Sequence, residues 1–284
     1  DIYLFLYDKY IHYIPMAKMN NDSVSAIIVD DDDSNIQQII KKKPTAKTIL
    51  ETCLTTLPHI IEIGVDEAGR GPMLGRVYAA AVILPKDCSY NHSLMKDSKK
   101  FHSKKKIEVA AEYIKNNAIA WSVQYEDEEV IDKINILQAT QSAMHKAIKD
   151  VIYKIQSSTT TATTTLDNIL LLVDGNYFNP LSIMEQKPNT KPNTKPKNET
   201  LIKSQLVEGG DNKYTAIAAA SILAKVERDK YIEELCFANP DLIERYGIDT
   251  NKGYGSQKHI NGIKQYGITK WHRKSFGICK EFAT

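Results

Sequence analysis

The run Ile61-Glu-Ile-Gly-Val-Asp66-Glu67-Ala-Gly69-Arg70-Gly71-Pro72-Met-Leu-Gly75-Arg76-Val-Tyr-Ala-Ala-Ala-Val-Ile-Leu-Pro85 decides the fold. It predicts two apolar strands joined by a turn. Asp66 and Glu67 close the first strand, where an apolar run would otherwise continue inward. Successive strand side chains face opposite surfaces, so only one of the two meets a given surface squarely. Adjacent carboxylates there need a counter-charge, and a divalent metal ion supplies one. Gly69, Gly71 and Gly75 flank Arg70, so backbone can approach a bulky ligand while the guanidinium meets a phosphate. Read alone, the run is equally a solvated turn.

Outward from this hairpin, residues 118–126 alternate into a third strand, and residues 135–155 carry apolar side chains at helical spacing. Ile169-Leu-Leu-Leu-Val173-Asp174-Gly175-Asn176 is a continuous apolar run ending in a carboxylate, which suits a parallel strand buried on both faces. Asp211 precedes a long helix with small or apolar residues at Ile217, Ala218, Ser221, Ile222, Ile232 and Leu235, and shorter helices follow to about Tyr266. Four carboxylates, Asp66, Glu67, Asp174 and Asp211, therefore sit at element ends. Mg2+ takes hard oxygen ligands and keeps several waters, so a few carboxylates facing a substrate phosphate suffice for it. Two such ions serve an in-line displacement at phosphorus. By themselves, Asp211 also reads as a helix N-cap and Asp174 as a turn residue.

Lysines 96, 99, 100, 104, 105 and 106 crowd the start of a helix that Ser103 is placed to cap. Cations oppose the dipole at that end, so the run does not serve helix stability and fits phosphate binding instead. In Asn251-Lys252-Gly253-Tyr254-Gly255 the glycines leave the Tyr254 ring exposed, ready to stack on a base or sugar. Arg76 reads as a solvated strand start.

With 42% hydrophobic and 25% charged residues, the chain of 284 has enough apolar side chains for a sizeable core. A net charge of +2 leaves any nucleic-acid affinity to local clusters. Cys53, Cys88, Cys236 and Cys279 show neither zinc-site nor disulfide spacing, which points to a reducing, cytoplasmic setting. No apolar run is long enough for a membrane span, and the start lacks the basic region of a secretion signal. The chain opens on Asp1, with Met16 and Met19 as candidate starts. Residues 1–57, with an acidic run at 30–33 and a basic one at 41–43, read as a flexible appendage. Two polar tracts, 157–165 and 187–198, read as surface inserts.

The Gly64-x-Asp66-Glu67-Ala-Gly69-Arg70-Gly71-Pro72 run resembles the ribonuclease HII family, the type 2 ribonucleases H. Ile217-Ala-Ala-Ala-Ser-Ile-Leu-Ala-Lys-Val226, Lys252-Gly-Tyr-Gly255 followed by His259, and His272-Arg273-x-Ser275-Phe276 are similar to that family's later segments. The resemblance implies an α/β fold: an RNase H-like core with a mixed central sheet and flanking helices over 58–235, plus a C-terminal helical extension over 236–284. It implies a monomeric endoribonuclease with no membrane partner, cutting the RNA strand of RNA–DNA hybrids and single ribonucleotides embedded in duplex DNA. Asp66, Glu67, Asp174 and Asp211 would be catalytic and hold two Mg2+ or Mn2+ ions. Gly69, Arg70, Gly71, Lys99 and Tyr254 would bind substrate. Gly209 departs from the family, whose bacterial members usually carry Lys there. Rival readings are another polynucleotidyl transferase of the RNase H-like superfamily and a non-catalytic hybrid-binding protein.

Overall fold

The structure is a computed structural model that describes residues 49–158, 165–184 and 199–283. The chain divides into residues 1–46 and 47–284, and all described residues belong to the second unit. Most of the expected appendage and the interiors of both inserts lie outside the described residues.

Among the described residues, seven strands and six helices follow in the order β1 (Ile61–Ala68), β2 (Val77–Ile83), α1 (Lys104–Asn117), β3 (Ala120–Glu126), α2 (Glu128–Ser158), β4 (Ile169–Asp174), β5 (Ser182–Met184), β6 (Glu199–Leu201), β7 (Lys203–Val207), α3 (Thr215–Ala238), α4 (Asp241–Tyr246), α5 (Ile248–Asn251) and α6 (Gln257–Tyr266). The main sheet has the order β3-β2-β1-β4-β7; β5 and β6 form a separate pair. β2 runs antiparallel to both β1 and β3, whereas β4 runs parallel to β1 and β7, so the sheet is mixed.

Helices cover both faces. On one, Ile63, Val65, Ala79, Ala81, Leu171 and Val173 pack against the Ala143–Val151 stretch of α2. On the other, Tyr78, Ala80 and Val82 meet α1 and the small-residue start of α3. That start lies unusually close to the sheet: a Cβ added at Gly64 of β1 would stand 2.2 Å from the Ala216 carbonyl carbon. Only glycine in the strand and small residues in the helix permit the approach. A third core joins Met73 and Leu74 to Ile232 and Cys236 of α3 and to α4, α5 and α6.

Three local expectations are corrected. The helix expected from 135 begins earlier, at Glu128, and breaks at Asn135, which is left-handed (φ 66). Asn135 Oδ1 accepts from the Gln138 amide at 3.1 Å, so it caps the second segment. Ser103 occupies the N-cap of α1, but its hydroxyl makes no capping bond. Arg76 is not solvated; its guanidinium lies between the rings of Tyr125 and Tyr231, 4.1 and 4.4 Å from their centroids. Such stacking on two faces stabilises a partly desolvated cation by roughly 1–2 kcal/mol per ring.

Residues 51–55 are tied into the sheet unit. Glu51 bridges Tyr214, and the buried Glu62 carboxylate accepts the amides of Leu54 and Thr55 at 2.9 and 2.8 Å.

Candidate active site

Register brings the acidic residues together. In the parallel pair β1–β4, Val65 lies opposite Val173, so Asp66 and Asp174 follow one residue later on neighbouring strands. On the other side of β4, Asp174 is level with Val207 of β7. The chain then turns through Gly209, left-handed at φ 62, into a short 3-10 turn, Gly210–Asn212, that carries Asp211. The Gly210 amide donates to Asp174 Oδ1 at 2.6 Å and locks this turn to the strand end. Acidic side chains thus gather at the C-terminal ends of the parallel strands, where α/β sheets place their ligands.

Their electrostatics follow from that crowding. Burial, then Glu67, then Asp174 hold the Asp66 carboxyl well above the usual carboxylate range, although Ser221 and the Glu67 amide donate to it. Glu67 is also raised, chiefly by burial, against the pull of Arg70, whose Nη1 donates to Glu67 Oε1 at 3.2 Å. Asp211 is raised by burial, by Asp97 and by Asp174. Asn212 bridges the last cluster, donating to Asp211 Oδ1 at 3.0 Å and to Asp97 Oδ2 at 3.3 Å.

Charge of one sign held at such density suits a divalent cation. Among the described residues no three His, Cys, Asp or Glu side chains close on one point. A divalent ion held by an open set of carboxylates would take its remaining ligands from substrate oxygens and waters.

Beside the carboxylates stands the expected substrate face. Gly69 is left-handed (φ 92), and an added Cβ would lie 2.2 Å from Nε of Arg228. Arg70 is half exposed. Gly71 abuts the half-exposed Tyr254, whose Cε1 would be 3.2 Å from a Cβ at that position. Lys99 is exposed, its amide bonded to Asp97 Oδ1 at 2.9 Å. Of the remaining lysines, Lys100 bonds Asn212 and Lys104 pairs with Glu233 at 2.5 Å, so those two are engaged within the protein.

Several residues of this region make contacts that sequence reading does not reach. Asp97 and Asn212 support Asp211, and Ser98 Oγ lies 3.0 Å from Ser221 Oγ, behind Asp66. Arg228 and Arg273 are fully buried beneath the 69–71 turn. Burial, then Arg228, pull Arg273 down to about 9, which leaves it cationic at neutral pH.

A mixed sheet of this order, with acidic residues ranked along its parallel strand ends, defines a nuclease of the RNase H-like fold. The family described as Ribonuclease HII matches residues 63–279. A ribonuclease HII of Pelagibacter ubique is 43% identical over 213 residues, 75% of this chain and 94% of that protein. The chain belongs to the ribonuclease HII family, and it is a hydrolase. Among solved structures, ribonuclease H2 from Pyrococcus horikoshii shares the fold at TM-score 0.51 and 20% identity, over 79% of this chain and 97% of that one. Bst-RNase HIII in complex with Mn2+ does so at TM-score 0.55 and 17% identity, over 80% of this chain and 70% of that one.

Proposed function

We propose that this chain cuts the RNA strand of RNA–DNA hybrids and single ribonucleotides embedded in duplex DNA, leaving 5′-phosphate and 3′-hydroxyl ends. The observation that carries the reading is the strand register that sets Asp66 beside Asp174, with Asp211 delivered to them by the Gly210 bond. Asp66, Glu67, Asp174 and Asp211 would hold two divalent ions, Mg2+ or Mn2+; the Mn2+ bound by an RNase HIII of like fold supports this. Ions held there would supply Lewis-acid activation of a water and charge stabilisation at the departing 3′ oxygen.

The protein's own groups do the rest. Gly71 lies against the Tyr254 ring, so one ribose and its neighbouring sugar would be read together: amides at the 2′-hydroxyl, the ring against the next deoxyribose. Arg70, held partly by Glu67, is available to a phosphate beside the metal ligands. Lys99 would add a further phosphate contact, since its exposed side chain stands on a loop fixed by Asp97 and Ser98.

The catalytic domain in this reading is 58–235, joined by the 51–55 strap that bonds to Glu62 and bridges to Tyr214, with 236–284 as a helical extension that carries Tyr254. The rival superfamily and non-catalytic readings are not favoured, given the family match. A cytoplasmic monomer is consistent with four free cysteines, and mass in solution tests the monomer. Cleavage of a continuous hybrid and of a DNA duplex with one ribonucleotide, each in Mg2+ and Mn2+, tests the activity. Failure to cut either substrate with either ion would overturn it.

A further inference from the structure

Three segments distant in sequence meet behind the substrate face. The Met73 amide donates to the Gly253 carbonyl at 2.8 Å, Gly75 to Trp271 at 2.9 Å, and Arg273 to Met73 at 2.8 Å. Leu74 and His272 form an antiparallel bridge at the same place. From this junction two adjacent side chains go to different destinations.

Arg273, wholly buried, takes the 69–75 turn. Its Nε donates to the Gly75 carbonyl at 2.8 Å, Nη1 to that of Arg70 at 3.0 Å and Nη2 to that of Gly69 at 2.6 Å. In a trans peptide the N–H lies opposite the preceding C=O. Drawing the Gly69 and Arg70 carbonyls inward therefore turns the Arg70 and Gly71 amides outward, toward the side from which substrate comes. One planar guanidinium is suited to this because its donors hold a fixed fork.

His272, also buried, takes the Tyr254 turn. Its Nδ1 accepts the Thr269 amide at 2.9 Å, so its proton resides on Nε2, 3.0 Å from Nε2 of His259. His259 then accepts at Nε2 and donates from Nδ1 to the Tyr254 carbonyl at 2.9 Å. Both rings are neutral in this chain of bonds, and each tautomer is fixed by its neighbour.

We propose that His272 and Arg273 are positioning residues for ribonucleotide selection, holding the amides of the 69–71 turn and the backbone under Tyr254 in one common frame. This rests on the reading above that these two elements recognise a ribose and the adjoining deoxyribose. Arg228 reinforces the frame from α3, with Nη2 on the Lys252 carbonyl at 2.9 Å and its stem beneath Gly69.

Two variants separate this role from general support. His272→Asn keeps an acceptor for Thr269 but loses the reach to His259; Arg273→Lys keeps the charge but cannot span three carbonyls. For each, kcat/KM is measured on a DNA duplex with one ribonucleotide and on a continuous hybrid, with amide hydrogen exchange of 69–71 and 253–255, Mn2+ affinity and thermal midpoint. The expected result is a loss at least tenfold greater on the single ribonucleotide, faster exchange in the two turns, and unchanged Mn2+ affinity. Folded variants with an unaltered substrate ratio overturn the proposal. If Arg273→Lys alone does not fold, His272→Asn decides; if neither folds, the segment serves the whole fold and the proposal fails. Tyr254→Ala is the control. A changed ratio there with unchanged ratios in both anchor variants removes the positioning role alone, whereas an unchanged ratio in Tyr254→Ala removes the substrate reading and this role with it.

Discussion

Taking the protein from pH 8 to pH 5 should weaken it through His272. Burial, with a smaller push from His259, lowers this imidazole from its ordinary value of 6.5 to about 3 in the folded protein. Between those values the unfolded chain binds a proton that the folded chain refuses, so stability is full above about 6.5 and falls as the pH drops. At 1.36 kcal/mol per unit, the 1.5 units from 6.5 to 5 amount to about 2 kcal/mol. For a domain of this size that corresponds to roughly 4–8 °C in Tm. His259, also lowered by burial, acts in the same direction. Thermal melts at pH 8 and pH 5 of wild type and His272→Asn measure the effect. The variant should start lower at pH 8 but lose less on acidification. Equal losses in the two proteins would refute the assignment of this acid sensitivity to the imidazole pair.

Asp66→Asn and Asp174→Asn should each reduce cleavage by 1,000-fold or more, on the order of 4 kcal/mol of barrier, while leaving duplex binding intact by gel shift. Asp66→Asn should also match or exceed wild-type Tm, because it removes a buried carboxyl crowded by Glu67 and Asp174; a clear fall would argue against that crowding. Gly64→Ala should cost about 3 kcal/mol, the upper range for overpacking, since the added methyl meets Ala216 backbone and not a movable side chain; unchanged urea melts would contradict the packing. Replacing Lys99, Lys105 and Lys106 together should flatten the salt dependence of duplex affinity by two to three counterions, about 0.9 for each phosphate no longer neutralised, and an unaltered slope would return them to solvated surface.

Much of the fold could be read from periodicity. The apolar run before Asp174 becomes a strand with parallel neighbours on both sides, as its unbroken hydrophobicity predicts, and the small residues after Asp211 become the helix face that lies on Gly64. Spacing put the four carboxylates at element ends but not beside one another, because register between β1 and β4 joins residues 108 positions apart. Arg228 was less readable still, and Arg273, legible as part of the His272-Arg273-x-Ser275-Phe276 segment, gave no sign of the carbonyls it holds. A lone arginine in a helix or tail has the same local pattern whether it faces water or three carbonyls. Arg76 was misread for a related reason, since Tyr125 and Tyr231 come to it from β3 and α3. The break at Asn135 did leave a local trace: Asn135-x-x-Gln138 has the spacing of a capping box.

Arg273 stands 204 positions after Gly69, whose carbonyl it holds. During synthesis at roughly 5–20 residues per second, the ribosome takes about 10–40 s to travel that distance. Asp174, Asp211 and Arg228 follow within that interval, and the residue that holds the Gly69, Arg70 and Gly75 carbonyls is made last of these. Competence to recognise substrate is therefore acquired late in translation, and a nascent chain that stalls before residue 273 leaves its glycine turn unset on the polysome.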